Sequence, residues 1–73
     1  MARVRDEDLD SLTDFIRRDL DNDDYDWRSV GNGKYDFYVV GRGRMSPDLS
    51  KKDLFEWMDA FHSGVISAIN ELR

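Results

Sequence analysis

Residues 46–72 read SPDLSKKDLFEWMDAFHSGVISAINEL, and the fold turns on this stretch. Leu54, Met58, Phe61, Val65, Ala68 and Leu72 recur at spacings of four, three, four, three and four, and Phe55, Trp57, Ile66 and Ile69 widen that seam into a broad apolar face. The period is that of an α-helix. Two start signals precede it, Ser46-Pro47 and the box Ser50-Lys51-Lys52-Asp53, so the helix is predicted over about 47–72 or from Ser50 onward. At ~1.5 Å per residue it is about 33 Å long, more than one short helix covers, and the middle of the chain or a partner must lie on it. Gly64 costs roughly 1 kcal/mol relative to Ala inside a helix, and its position predicts a close approach of another helix, a kink, or a break into two helices.

Upstream, Leu9, Leu12, Phe15, Ile16 and Leu20 mark one face of a shorter helix over about 7–20, with Asp6 or Asp8 as N-cap and an Asp14–Arg18 pair on the opposite face. Asp21-Asn22-Asp23-Asp24 ends it, because such side chains compete for their own backbone. Residues 25–40 then read as a β-hairpin around Gly31-Asn32-Gly33. With Asn32-Gly33 at the tip, Trp27 falls opposite Tyr38, Tyr25 opposite Val40 and Arg28 opposite Phe37. One face then carries Tyr25, Trp27, Tyr38 and Val40, and the other Val30, Tyr35, Phe37 and Val39 with Asp26 and Arg28. The expected fold is α+β, a single domain over 1–73 of order αββα. Two helices cover one hairpin face, so a second aromatic face is left over.

That surplus points to an interface. Gly41-Arg42-Gly43-Arg44-Met45 reads as a loop presenting two arginines and, with Lys34, Lys51 and Lys52, forms a basic corner. Aromatics and Arg dominate interface energetics, which nominates Arg28, Tyr35, Phe37, Arg42 and Arg44 as protein-binding residues. Charge is polarised: residues 6–26 carry ten acids against Arg17 and Arg18, a local −8, and residues 27–52 carry six bases against two acids, a local +4, within a net −5. A polarised chain steers encounter with a charged partner.

Composition narrows the function classes. Seventy-three residues make one domain with a thin stability margin and no room for a deep cleft. Two Trp, three Tyr and four Phe argue for a folded chain rather than a disordered one. Without Cys there is no disulfide framework, thiolate metal site or cysteine nucleophile, and a reducing cytoplasmic setting is the expectation. No apolar run is long enough for a membrane span, and Met1-Ala2-Arg3-Val4-Arg5-Asp6 lacks the hydrophobic region expected of a secretory signal. The single His62 lacks the context of a triad, and Asp21-Asn22-Asp23 fails as a calcium loop because Asp26 and Asn32 stand where Gly and Glu are needed. No cofactor, no metal and no enzymatic activity are expected.

In length, lack of Cys, charge polarity and aromatic surplus the chain resembles the small early proteins by which bacteriophages redirect host machinery. It is similar in size to the small inhibitor of host RNA polymerase of the Xanthomonas phage type. The resemblance covers whole-chain character and carries no binding residue over. It implies a host protein partner, RNA polymerase subunits, and blocked transcription initiation. Three other readings compete. In a DNA mimic, Asp10, Asp14, Asp21, Asp23 and Asp24 stand in for phosphates. Direct nucleic-acid binding through the basic corner is opposed by the net charge. A homodimer would form through the long C-terminal helix.

Overall fold

The chain, seen as a computed structural model, is described over residues 3–71, with side chains over residues 3–67. Its elements run α1 (Asp6–Leu20), β1 (Tyr25–Gly31), β2 (Lys34–Val39), β3 (Gly43–Arg44) and α2 (Lys51–Glu71). The fold is α+β, as the periodicities require. The strands form one antiparallel sheet in the order β1-β2-β3, so the arginine-bearing loop contributes a short third strand.

Helix α1 places Asp6, Glu7 and Asp8 at the positive end of its dipole. Its N-cap is Arg5 rather than an aspartate, and the carboxylate of Asp8 accepts from the Arg5 backbone N–H at 2.9 Å. Leu9, Leu12 and Ile16 are buried as expected, but the fourth buried position is Thr13, whose hydroxyl donates to the Leu9 carbonyl at 2.7 Å. Phe15 lies off the seam, half exposed, beneath the guanidinium of Arg18; Asp14 consequently pairs with Arg17, not Arg18. Asp21 closes the helix in the left-handed region at φ 51°, its N–H reaching Arg18 O while Asn22 N reaches Arg17 O.

The hairpin turns at Asn32-Gly33, both at positive φ, but its register differs from the sequence expectation by one residue. Between Ser29 and Gly31 the pairing slips, and Gly31 takes φ +95°, a backbone conformation that a β-carbon would oppose. Below that bulge Tyr25 pairs with Val39, Asp26 with Tyr38, Trp27 with Phe37 and Arg28 with Asp36. Because side chains alternate, the slip regroups the faces. Tyr25, Trp27, Tyr35, Phe37 and Val39 share the side packed on the helices, while Asp26, Arg28, Asp36 and Tyr38 share the other. The expected second aromatic face is therefore replaced by a charged face with one ring.

Phe37 is fully buried at the centre of the core. Its ring lies 5.7 Å from Tyr25, 5.9 Å from Trp57 and 5.9 Å from Phe61, and Trp57 stacks on Phe61 at 5.5 Å. Leu9, Leu12, Ile16, Leu54 and Met58 complete the core, each burial worth about 1.5–3 kcal/mol. The outer edge of β2 is closed by β3, by an isolated bridge from Tyr35 to Leu49, and by Ser46, whose buried hydroxyl accepts from Phe37 N at 2.9 Å. Ser46 thus serves the sheet rather than capping α2. The helix begins instead at Lys51, with Ser50 Oγ accepting from Asp53 N at 3.2 Å.

The two helices run side by side in the same direction, tied near their starts by Lys51 to Asp6 at 2.7 Å and further along by His62 to Asp19 at 2.6 Å. Gly64 lies inside the unbroken α2, and a β-carbon there would meet nothing within 4 Å. It neither breaks the helix nor admits a close neighbour among the described residues. Ala68, Ile69 and Leu72 of the predicted seam fall outside the described side chains.

Candidate functional site

The face of the sheet turned away from the helices carries the densest arrangement of groups suited to recognition. Arg28 and Asp36 face each other across β1 and β2, so the guanidinium forks onto the carboxylate, Nε to Oδ1 at 2.9 Å and Nη2 to Oδ2 at 3.3 Å. The same guanidinium lies 4.7 Å from the ring centroid of Tyr38, the next residue on that side of β2. Asp36 is only 1% exposed, whereas half of the Arg28 side chain remains open to solvent. The hydrogen bond to Asp36, opposed in part by desolvation and aided by the charges of Asp36 and Tyr38, raises Arg28 above its already high ordinary pKa. Arg28 is a permanent, oriented cation: one edge is anchored, one face is stacked, and the remainder is free to donate.

Arg44 flanks the other side of Tyr38, its partner in the β2–β3 ladder, and pairs with Asp48 at 3.0 Å with both side chains half exposed. Tyr38 thus lies between Asp26 and Arg44 across the three strands, with Arg28, two residues along β1, reaching diagonally onto its ring. Val40, 59% exposed, lies just beyond the end of β2. Arg42 sits in the turn between β2 and β3 and, together with Arg44, lines a hollow with Asn22, Asp24 and Tyr25 at the end of the sheet.

Of the residues nominated from the sequence, the structure brings Arg28 and Arg44 together and leaves Arg42 at their margin. Tyr35 lies on the helix-packed side, tilted against Trp27 at 6.0 Å and beneath Lys51. Phe37 is removed from the candidate surface altogether, because its side of β2 is the one packed on the helices, where the bulge in β1 also places Tyr25 and Trp27. Tyr38, assigned by the bulge-free register to a face shared with Trp27, is the ring the sequence reading missed. The glycine before Asn32-Gly33 was the available signal, since a third small residue at a hairpin tip accommodates an extra residue in one strand.

The acidic segment has a different character. Asp6 holds Lys51, Asp8 the Arg5 backbone, Asp10 the indole N–H of Trp27 at 2.8 Å, Asp14 the guanidinium of Arg17, and Asp19 His62. Arg17 also donates to the Tyr25 carbonyl at 2.6 Å and lies 3.6 Å from Asp26, binding α1 to the open edge of β1. Among the described residues, no three His, Asp or Glu side chains are placed to hold a metal ion, and no helix is long and apolar enough to cross a membrane. No family model, no curated protein and no solved structure matches the chain.

Proposed function

We propose that this chain is a non-enzymatic protein-binding regulator that acts by occupying a surface of a larger protein through the outer face of its sheet. The observation that supports the reading is the cluster of Arg28 and Arg44 about Tyr38, with Arg28 fixed between a buried carboxylate and an aromatic ring. Arg and Tyr are the residues most often found at interface hot spots, and a side chain already held in one geometry loses less entropy on binding. The whole-chain resemblance to phage inhibitors makes bacterial RNA polymerase subunits the first partner to test, with blocked initiation as the outcome.

The experiment is affinity capture from bacterial lysate followed by promoter-dependent transcription in vitro. Wild-type chain is expected to retain polymerase subunits and suppress initiation, and Y38A and R44E are expected to lose both while remaining folded. Capture of no polymerase, or transcription unaffected by excess protein, would discard the polymerase as partner. Full retention by both variants would discard the outer sheet face.

A further inference from the structure

A groove of about 690 Å³ opens at the end of the molecule where both helices begin, between the segment entering α1, the hairpin tip and the first turns of α2. Val4, Tyr35 and Phe55 form its apolar part, all partly buried against the core. Arg3, Lys51 and Lys52 supply its charge, against Glu56 as the one carboxylate lining it. On a chain of net charge −5 this is a locally positive site.

Two of its cations stand at the unfavourable end of a helix dipole. Lys51 and Lys52 occupy the first turn of α2, the positive end of the helix dipole, where a cation costs about 0.3–1 kcal/mol. Lys51 is relieved by Asp6 and lies 5.2 Å from the Tyr35 ring centroid, but Arg3 and Lys52 have no ion-pair partner among the described residues. An incoming carboxylate would relieve both. A free inorganic anion would find no buried donor here and would leave the apolar floor unused, whereas a greasy centre with a charged margin is the anatomy of a protein interface.

We infer that the groove takes an acidic segment of a partner protein, which lays one aromatic or aliphatic side chain over Tyr35 and Phe55 and sets its carboxylates against Arg3 and Lys52. The inference rests on the proposed function for the existence of a protein partner and adds the chemistry by which that partner is recognised.

The test is an NMR titration of the full chain with short synthetic peptides: glutamates around a central phenylalanine, glutamates alone, and lysines around a central phenylalanine, with inorganic phosphate as a fourth arm. Saturable shifts at Tyr35, Lys52 and Phe55 are expected with the first peptide only, and affinity should fall about tenfold in the R3E/K52E double variant. Equal binding of the glutamate-only peptide or phosphate would reduce the site to a nonspecific anion patch. Binding of the lysine peptide would reverse the sign, and groove shifts on simple dilution of the protein would make the occupant a second copy; each outcome overturns the inference. If the peptide binds but polymerase is not captured, the groove stands and the polymerase reading falls. If polymerase is captured equally by wild type and R3E/K52E and the peptide does not bind, the reverse holds.

Discussion

Replacing Phe37 and Tyr38 by alanine, one at a time, tests the register set by the bulge and with it the placement of the candidate interface. Phe37 is fully buried with three rings within 5.9 Å, and truncating such a residue costs about 3–5 kcal/mol. At about 0.05–0.15 kcal/mol per residue, a 73-residue domain has a total of only about 4–11 kcal/mol, so F37A removes much or all of it. Tyr38 contributes its contact with Arg28, worth about 0.5–1 kcal/mol, and a strand preference of similar size. Urea unfolding followed by tryptophan fluorescence separates the two. With a slope near 1 kcal/mol per molar for a domain this small, F37A should move the midpoint by about 3–5 M or unfold the chain, and Y38A by about 1–2 M. F37L, which keeps most of the volume, provides a variant stable enough to measure if F37A is not. In a hairpin without the bulge, Tyr38 would sit beside Trp27 against the helices. A midpoint shift for Y38A as large as that for F37A would refute the register and the site built on it.

Other perturbations have separate signatures. Gly64→Ala should stabilise by about 0.5–1 kcal/mol and raise Tm by several degrees in a thermal melt, since the added methyl group meets no neighbour and helix propensity alone decides the sign. Asp36→Asn should cost about 1–2 kcal/mol in the same urea assay by weakening the fork onto Arg28, the half-open guanidinium limiting the loss; an unchanged midpoint would mean the pair is ornamental. Lys51 has its pKa raised, first by the hydrogen bond to Asp6, so its contribution is complete below the ordinary lysine range and fades as pH rises through the elevated value. The stability difference between wild type and K51M should therefore shrink at strongly alkaline pH and hold steady through neutrality.

Most of the architecture was legible because it is written in periods. The spacing of Leu54, Met58 and Phe61 and of Leu9, Leu12 and Ile16 specifies two amphipathic helices whatever their neighbours, and Asn32-Gly33 specifies a tight hairpin. Phe15 was misplaced because it and Thr13 border the apolar seam on opposite sides, and only the packing of the rest of the chain decides which of the two is covered. Of the two helix starts offered by the sequence, only Ser50 is used, because the cap signal of Ser46 is local, while its partner, the Phe37 N–H, comes from a strand nine residues away. The site was less legible than the fold for a related reason. Periodicity reports which residues alternate, but a single extra residue at Val30 exchanges the faces of one strand relative to the other, so the pairing of Arg28 with Asp36 and its stacking on Tyr38 depend on a phase that composition does not carry.

The distribution of satisfied charges bears on the sign of the partner more directly than the net charge does. Read as a sum, −5 suggests a chain that seeks a basic surface, and the acids of α1 look like a row of phosphate substitutes. Read by contact, Asp6, Asp8, Asp10, Asp14 and Asp19 are each committed to a cation or an N–H of the same molecule, whereas the side chains of Asp21, Asp23, Asp24, Asp53, Glu56 and Asp59 have no ion-pair partner among the described residues. A carboxylate already in a hydrogen bond must break it or share it to engage a partner, which lowers its value as a mimic of a solvated phosphate. The cations divide differently. Arg3, Arg18, Lys34, Arg42 and Lys52 have no ion-pair partner among the described residues, and Arg28, although paired, keeps half its side chain in solvent. Under the proposed function, Arg28, Arg44 and the groove would meet carboxylates of the partner, whereas the acids left unpaired at Asp21, Asp23 and Asp24 remain available to a basic surface.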